Sequence, residues 1–195
     1  MRMPFAALER WEEALETVAE RARRVSVALE RHGVPYQVVG GIAVAAWVSR
    51  VDPEAVRGTR DVDIVIRRAD IERAKVAMHE AGFKFRHVLG IDMFVDIVKP
   101  SVRGGVHLLF ESETVRPGDP APVPLIPGDP PRSDEGFAIV PLDGLVCMKL
   151  TSYRRKDQVH LEDLLDLELI TPEIEATLPP ELQARLQHLK DTPNG

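Results

Sequence analysis

The chain has 195 residues, a formal net charge of −6 and a single cysteine. That length suffices for one good core, or for a core with a small helical appendage. The charge argues against a generic nucleic-acid binder, the lone Cys147 excludes an internal disulfide framework, and no apolar run is long enough to span a membrane.

Met1 to Trp11 carries no signal-peptide core, so a cytoplasmic location is expected. Leu8 to Arg31 reads as a long amphipathic helix, because Trp11, Leu15, Val18, Ala22, Val25 and Leu29 recur at three- and four-residue spacing. Arg21, Arg23 and Arg24 are expected on its solvated face, paired with nearby glutamates. Gly33 fits the C-cap region, and Pro35 prevents continuation.

Tyr36 to Val39 is a short apolar, β-prone run that stops at Gly40-Gly41, and Ile42 to Val48 then reads as helix. A strand that ends in two glycines and opens a helix lets backbone N–H groups approach an anion closely. Ser49 to Gly58 breaks the pattern, with a turn at Asp52-Pro53. Arg57 to Asp61 leads into a second strand, Val62 to Ile66. Asp61 and Asp63 are two apart, so both carboxylates are expected on one face of that strand, directed into one cleft beside Gly40-Gly41. Two convergent carboxylates beside a phosphate-cradling turn suit a Mg²⁺–nucleotide site. The alternative is a tight strand–helix turn followed by a solvated strand start.

Ala69 to Ala81 is the next helix, with Asp70 as an N-cap candidate and Gly82 after its end. Phe83 to His87, Met93 to Val98 and Val106 to Phe110 read as strands, with turns at Gly90, Pro100 and Gly104-Gly105. Arg116 to Glu135 is rich in Pro, Gly and Asp and reads as a long surface connection, with Val123 and Leu125-Ile126 held against the body. Pro141 opens a helix through Arg154. Val159 to Leu169, Pro172 to Leu178 and Pro179 to Leu189 follow as helical segments, and Asp191 to Gly195 reads as a frayed tail.

The expected organisation is therefore an α+β core over residues 1–115, a Pro/Gly-rich connection over 116–136 and a C-terminal helical part over 137–195. Cys147 is expected as buried packing in that part.

The order apolar strand, Gly40-Gly41, spacer, Asp61-Val62-Asp63 resembles the signature of the polymerase-β-like nucleotidyltransferase superfamily. Arg57-Gly58-Thr59-Arg60-Asp61-Val62-Asp63 looks most like its small bacterial branch of minimal nucleotidyltransferases and abortive-infection-type toxins. The resemblance extends over Val38 to Leu167. It implies a mixed β-sheet with packed helices, an NTP substrate and Mg²⁺ (or Mn²⁺) held by Asp61 and Asp63. Gly40, Gly41, Thr59 and Arg60 are then nucleotide-binding candidates.

In the resembling family a third carboxylate comes from a later strand. Here His107 of Val106-His107-Leu108-Leu109-Phe110 takes that position. Imidazole binds Mg²⁺ poorly but can act as a base, or it can simply hydrogen-bond a neighbour. Asp92 and Asp96 share a face of the preceding strand and are candidates for the missing charge. The run from Lys149 to Leu164 is similar to a basic stretch that follows the catalytic domain in abortive-infection-type enzymes. If it is helical, Lys149, Lys156 and His160 line one face that could hold the β- and γ-phosphates, with Asp157 orienting the basic side chains. The alternative is an amphipathic helix pair with solvated charges.

The expected activity is transfer of a nucleoside monophosphate from Mg–NTP to an acceptor hydroxyl on a protein, a tRNA or a small molecule. Two other readings remain open. One is a catalytically weak or inactive nucleotide-binding or regulatory protein of a toxin–antitoxin-type system. The other is an interaction protein, such as an antitoxin, with a cognate partner protein.

Overall fold

The computed structural model describes residues 5–98, 100 and 104–192, with side chains from residue 18 onward. Trp11 and Leu15 of the expected apolar stripe therefore lie outside the described side chains, and Pro193 to Gly195 lie outside the described residues.

Helix α1 (Phe5–Arg31) ends at Gly33, whose φ of +60° closes the turn, and the Val34 N–H bonds back to the Leu29 carbonyl at 2.9 Å. The chain then enters β1 (Tyr36–Val39), buried along its whole length, and passes directly into α2 (Gly40–Val48). The other strands are β2 (Val62–Ile66), β3 (Phe83–Val88), β4 (Ile91–Asp96) and β5 (Val106–Phe110). Between β2 and β3 lies α3 (Ile71–Glu80). The expected cap at Asp70 is absent: its carboxylate pairs with Arg73 and makes no capping hydrogen bond to the backbone.

The sheet order is β1-β2-β5-β4-β3. Only β2 and β5 run parallel; every other neighbouring pair is antiparallel. A parallel pair needs a long crossover, and α3 with the β3–β4 hairpin supplies it. The fold is α+β with a mixed sheet.

Alternation along the central strands gives the sheet two different faces. Val62, Ile64 and Ile66, with Val106, Leu108 and Phe110, pack in a core shared with α1 and α3. Asp63, Val65, His107 and Leu109 project from the other face. There α2 meets α4 (Leu142–Ser152) and α5 (Arg155–Asp166), and α7 (Pro180–Asp191) packs on α4. Short α6 (Pro172–Thr177) links α5 to α7. Fully burying an aliphatic side chain such as Ile64 or Leu145 is worth about 1.5–3 kcal/mol. A row of such positions on each face fixes the register, because a one-residue slip would exchange the faces. Within β2 only Asp63 is not fully buried, so the strand tolerates a carboxylate where the second face opens.

The connection from Arg116 to Glu135 has no helix or strand of its own. Val123 and Ile126 are buried in the second core, but Leu125 is exposed, contrary to expectation. Residues 137–140 then run beside β1: the Val38 N–H donates to the Ala138 carbonyl at 2.8 Å and the Val140 N–H to the Val38 carbonyl at 3.0 Å. Among the described residues no helix is long and apolar enough to cross a membrane.

Candidate functional site

The Gly40-Gly41 turn and β2 are fitted to each other. A Cβ on Gly40 would stand 2.0 Å from Asp63 Oδ2, and Gly40 has φ +69°, so both space and backbone require glycine. A Cβ on Gly41 would stand 2.8 Å from Thr59 Oγ1. That hydroxyl is buried with no partner among the described residues, and Thr59 does not line the cleft beside Asp63. Asp63 lies opposite Val39 on one side and His107 on the other.

His107 Nδ1 is 3.0 Å from Asp63 Oδ1. An ionised carboxylate only accepts, so Nδ1 carries the proton and donates it. This bond raises the imidazole pKa above its ordinary value; burial opposes the shift and the charges of Asp63 and Asp61 reinforce it. Asp61, at the entry to β2, lies within electrostatic range of His107 and Arg21. It does not line the cleft, so the expectation that both carboxylates open into it holds for Asp63 alone.

A cleft of about 630 Å³ runs from Gly40, Asp63 and His107 to a wall made by Lys149, Ser152 and Arg154. This wall departs from the single helical face expected for Lys149, Lys156 and His160. Helix α4 ends at Ser152, Tyr153 turns left-handed with φ +45°, and α5 starts afresh at Arg155. The break is held from α7: the Tyr153 hydroxyl donates to the Arg185 carbonyl at 3.0 Å, and the Arg185 guanidinium lies over the Tyr153 ring.

The reversal brings Asp157 back onto Lys149, at 2.9 Å from Nζ, and both side chains are buried. Ser152 Oγ and Arg154 Nε also donate to Asp157, the latter at 2.8 Å. Burial would raise the Asp157 pKa, but the Arg154 bond, the Lys149 charge and the Ser152 bond outweigh it and hold the carboxyl far below its ordinary range. Burial lowers the Lys149 pKa, and Asp157 opposes that shift. Lys149 and Arg154 both feel the charge of Asp63, so the basic wall stands close to the carboxylate.

Lys156 is exposed and absent from the cleft wall, though its charge reaches His107 and Lys149. Arg60 is exposed, and its backbone carbonyl accepts from Arg21 at 3.2 Å. His160 is buried with Nδ1 unpartnered, and its pKa is lowered to about 4, by burial first and then by Lys149 and Lys156. A neutral imidazole outside the cleft cannot serve as a phosphate-binding cation. Asp96 bonds to Arg24 of α1, and β4 alternation puts it on the face opposite Asp63, so it cannot replace the third carboxylate. Asp92 pairs with His87 at the far end of the cleft. Among the described side chains, Arg21 reaches the Arg60 carbonyl just before β2 and Arg24 reaches Asp96 at the end of β4. Cys147 is half-buried against the second core, and burial raises its thiol pKa.

Sequence reasoning missed Arg68, Ser152 and Arg154 as cleft residues. Ser152 and Arg154 lie inside the basic stretch but gain their place only through the Tyr153 break. Arg68 carries no local signal; it stacks over Phe110 and forms a two-pronged pair with Glu113.

The buried neutral imidazole has a measurable consequence. In the unfolded chain His160 titrates near its ordinary 6.5, and in the folded chain near 4. As pH falls through that window the unfolded state takes up the proton first, so stability declines by up to about 3 kcal/mol. Asp157, with its depressed pKa, extends the decline below about pH 4. Melting temperatures from pH 7 to 4.5 should fall in the wild type and fall less in His160→Gln. Equal slopes for the two proteins would exclude His160 as the source.

Residues 2–120 match a protein family described as "Uncharacterised nucleotidyltransferase". A comparison with curated proteins gives no match in sequence. Among solved structures, an antigenic nucleotidyltransferase-like protein from Paracoccidioides brasiliensis superposes with a TM-score of 0.58 at 15% identity, covering 93% of this chain and 91% of that one. The antibiotic-resistance factor ANT(2'')-Ia in solution gives a TM-score of 0.55 at 11% identity, covering 91% and 93%. Its crystal structure with adenylyl-2''-tobramycin gives 0.53 at 11% identity, covering 90% and 98%. At these identities the likeness is one of fold, whereas the family match takes in more than half of the sequence: the chain belongs to this nucleotidyltransferase family.

Proposed function

We propose that the protein transfers a nucleoside monophosphate from Mg²⁺–NTP to the hydroxyl of a small acceptor. The observation that carries this reading is the seating of the Asp63 carboxylate against the Gly40 turn, with His107 bonded to it and the Lys149–Asp157–Arg154 network on the facing wall of one cleft. The cleft, at about 630 Å³, is of small-molecule size.

Among the described residues no three His, Cys, Asp or Glu side chains converge as a ready-made metal cage. The donor set fits one Mg²⁺, with Asp63 supplying carboxylate oxygen, water and substrate phosphates the rest, and Asp61 adding negative charge at the strand entry. When bound, such an ion neutralises charge on the phosphates and polarises the phosphoryl oxygens. The N–H groups at the start of α2 face the anion, and Arg154 and Lys149 balance the charge of the leaving pyrophosphate. The acceptor oxygen attacks the α-phosphorus, the bond to the bridging oxygen breaks, and the acceptor proton passes to His107 Nε2 or to water. Asp157 keeps Lys149 charged despite its burial.

His107 also favours a second reading, nucleotide binding with little turnover, because the third carboxylate of the resembling family is absent. Label transfer from an NTP mixture, with wild type and His107→Asp in Mg²⁺ and in Mn²⁺, separates the two. We expect NTP binding by both proteins, slow transfer by the wild type in Mg²⁺, and faster transfer by His107→Asp. Robust wild-type transfer that is lost in His107→Asp would make histidine the working base. No NTP binding by calorimetry would defeat both readings.

A further inference from the structure

The cleft does not end at Asp63 and His107. It continues along β5 and β4 to the tip of the β3–β4 hairpin, where Leu89 and Ile91 form one lip, and to the connection after β5, where Val115 and Arg116 form the other. Leu89 is 96% exposed and has φ +52°. A large apolar side chain held in solvent, in a backbone conformation that suits glycine or asparagine, gains nothing from folding. The two-residue turn between Val88 and Ile91 accounts for the left-handed backbone at Leu89 and Gly90, but not for a fully exposed leucine at the mouth of a cleft. Ile91 and Val115 are also more than half-exposed or nearly so, and together the three residues make an aliphatic mouth.

The charges at this end are unequal in availability. Asp92 is engaged by His87, Glu113 is held by both prongs of Arg68, and Asp119 accepts the Arg116 backbone N–H at 2.8 Å. The exposed Arg116 guanidinium, by contrast, has no hydrogen-bond or ion-pair partner among the described residues. A polycationic acceptor would need unengaged carboxylates here, whereas the group on offer is a cation. Met93 stands beside His107, and β4 runs two residues from Met93 to Ile91, roughly 7 Å at strand spacing, before the Leu89-Gly90 turn.

We propose that this end of the cleft receives the acceptor, and that the acceptor is an amphipathic hydroxy acid. Its hydroxyl lies at Asp63 and His107, its aliphatic segment crosses Leu89, Ile91 and Val115, and its anionic group meets Arg116. The assignment rests on the transferase reading above and deepens it.

Calorimetry on the full chain, with Mg²⁺ and with or without a non-hydrolysable NTP analogue, tests it. The probes are ω-hydroxydecanoate, ω-hydroxypentanoate, ω-hydroxydecanamide and tobramycin. We expect ω-hydroxydecanoate to bind at least about tenfold tighter than the short acid and than the amide, through added apolar contact and a charge-assisted hydrogen bond respectively. Leu89→Asn, which suits the left-handed turn and so keeps the fold, should remove most of the chain-length preference. Arg116→Gln should remove the preference for carboxylate over amide. Tighter binding of tobramycin than of ω-hydroxydecanoate, or no chain-length and carboxylate preference in the wild type, overturns the assignment. Failure of the NTP analogue to bind, with the hydroxy-acid preferences intact, leaves the ligand class standing and removes the transferase reading instead.

Discussion

Asp63→Asn is expected to lower nucleotidyl transfer by on the order of 10³-fold or more while leaving the fold intact. Asparagine keeps the shape of the side chain, and its carbonyl oxygen can still accept from His107 Nδ1 at the observed 3.0 Å spacing. The negative charge is what disappears. With it go the oxygen that the proposed reading assigns to the metal and the partner that raises the His107 pKa. Gly40→Ala should reach the same end from the other side, since its Cβ would stand 2.0 Å from Asp63 Oδ2 and its φ of +69° is strained for alanine. A label-transfer assay beside circular dichroism decides the matter. Near-wild-type transfer by folded Asp63→Asn would remove this carboxylate from the chemistry.

The largest effect on stability is expected from Asp157→Ala. Asp157 and Lys149 are 1% and 5% exposed, and the substitution leaves an ammonium buried without its counter-ion. Breaking such a pair from one side costs about 3–5 kcal/mol. For a chain of this size that corresponds to a fall in melting temperature of very roughly 10 °C. Lys149 can relieve part of the cost by losing its proton, because burial already lowers its pKa. Ser152 and Arg154 lose their acceptor as well. The double variant Lys149→Met with Asp157→Leu should recover most of the stability, since an apolar pair of similar volume carries no desolvation penalty. It should not recover NTP affinity, because the cation at the cleft wall is gone. A double-mutant cycle read by thermal melts and by NTP calorimetry separates the two roles. Additive losses in stability would mean that the pair is not coupled.

These outcomes turn on features that differ in how far the sequence reveals them. The Gly40–Asp63 contact has a local origin. A β-prone run stopped by two glycines and a second strand with carboxylates at period two specify a turn and a face within thirty residues. The alternation of Val106, Leu108 and Phe110 likewise leaves His107 on the polar side. The same reasoning failed for Asp96: periodicity says which residues share a face, but not which helix covers it. That needed Arg24 of α1, 72 positions away.

The sequence by itself determined the strand and helix succession, the glycine turn and the placing of Asp63 beside it, because these depend on backbone sterics and short-range periodicity. Only the tertiary structure decided the basic wall. The sequence reading ends one helix at Arg154 and starts the next at Val159, but with no Gly or Pro between Lys149 and His160 it offers no sharp reversal, and Tyr153 is an ordinary helix residue. The left-handed turn at Tyr153 exists because Arg185 of α7 holds the Tyr153 ring and hydroxyl, and folding α5 back lets Asp157 neutralise a buried ammonium. The desolvation of one charge and the distant partner that stabilises it are properties of packing, so they appear only when the helices are assembled.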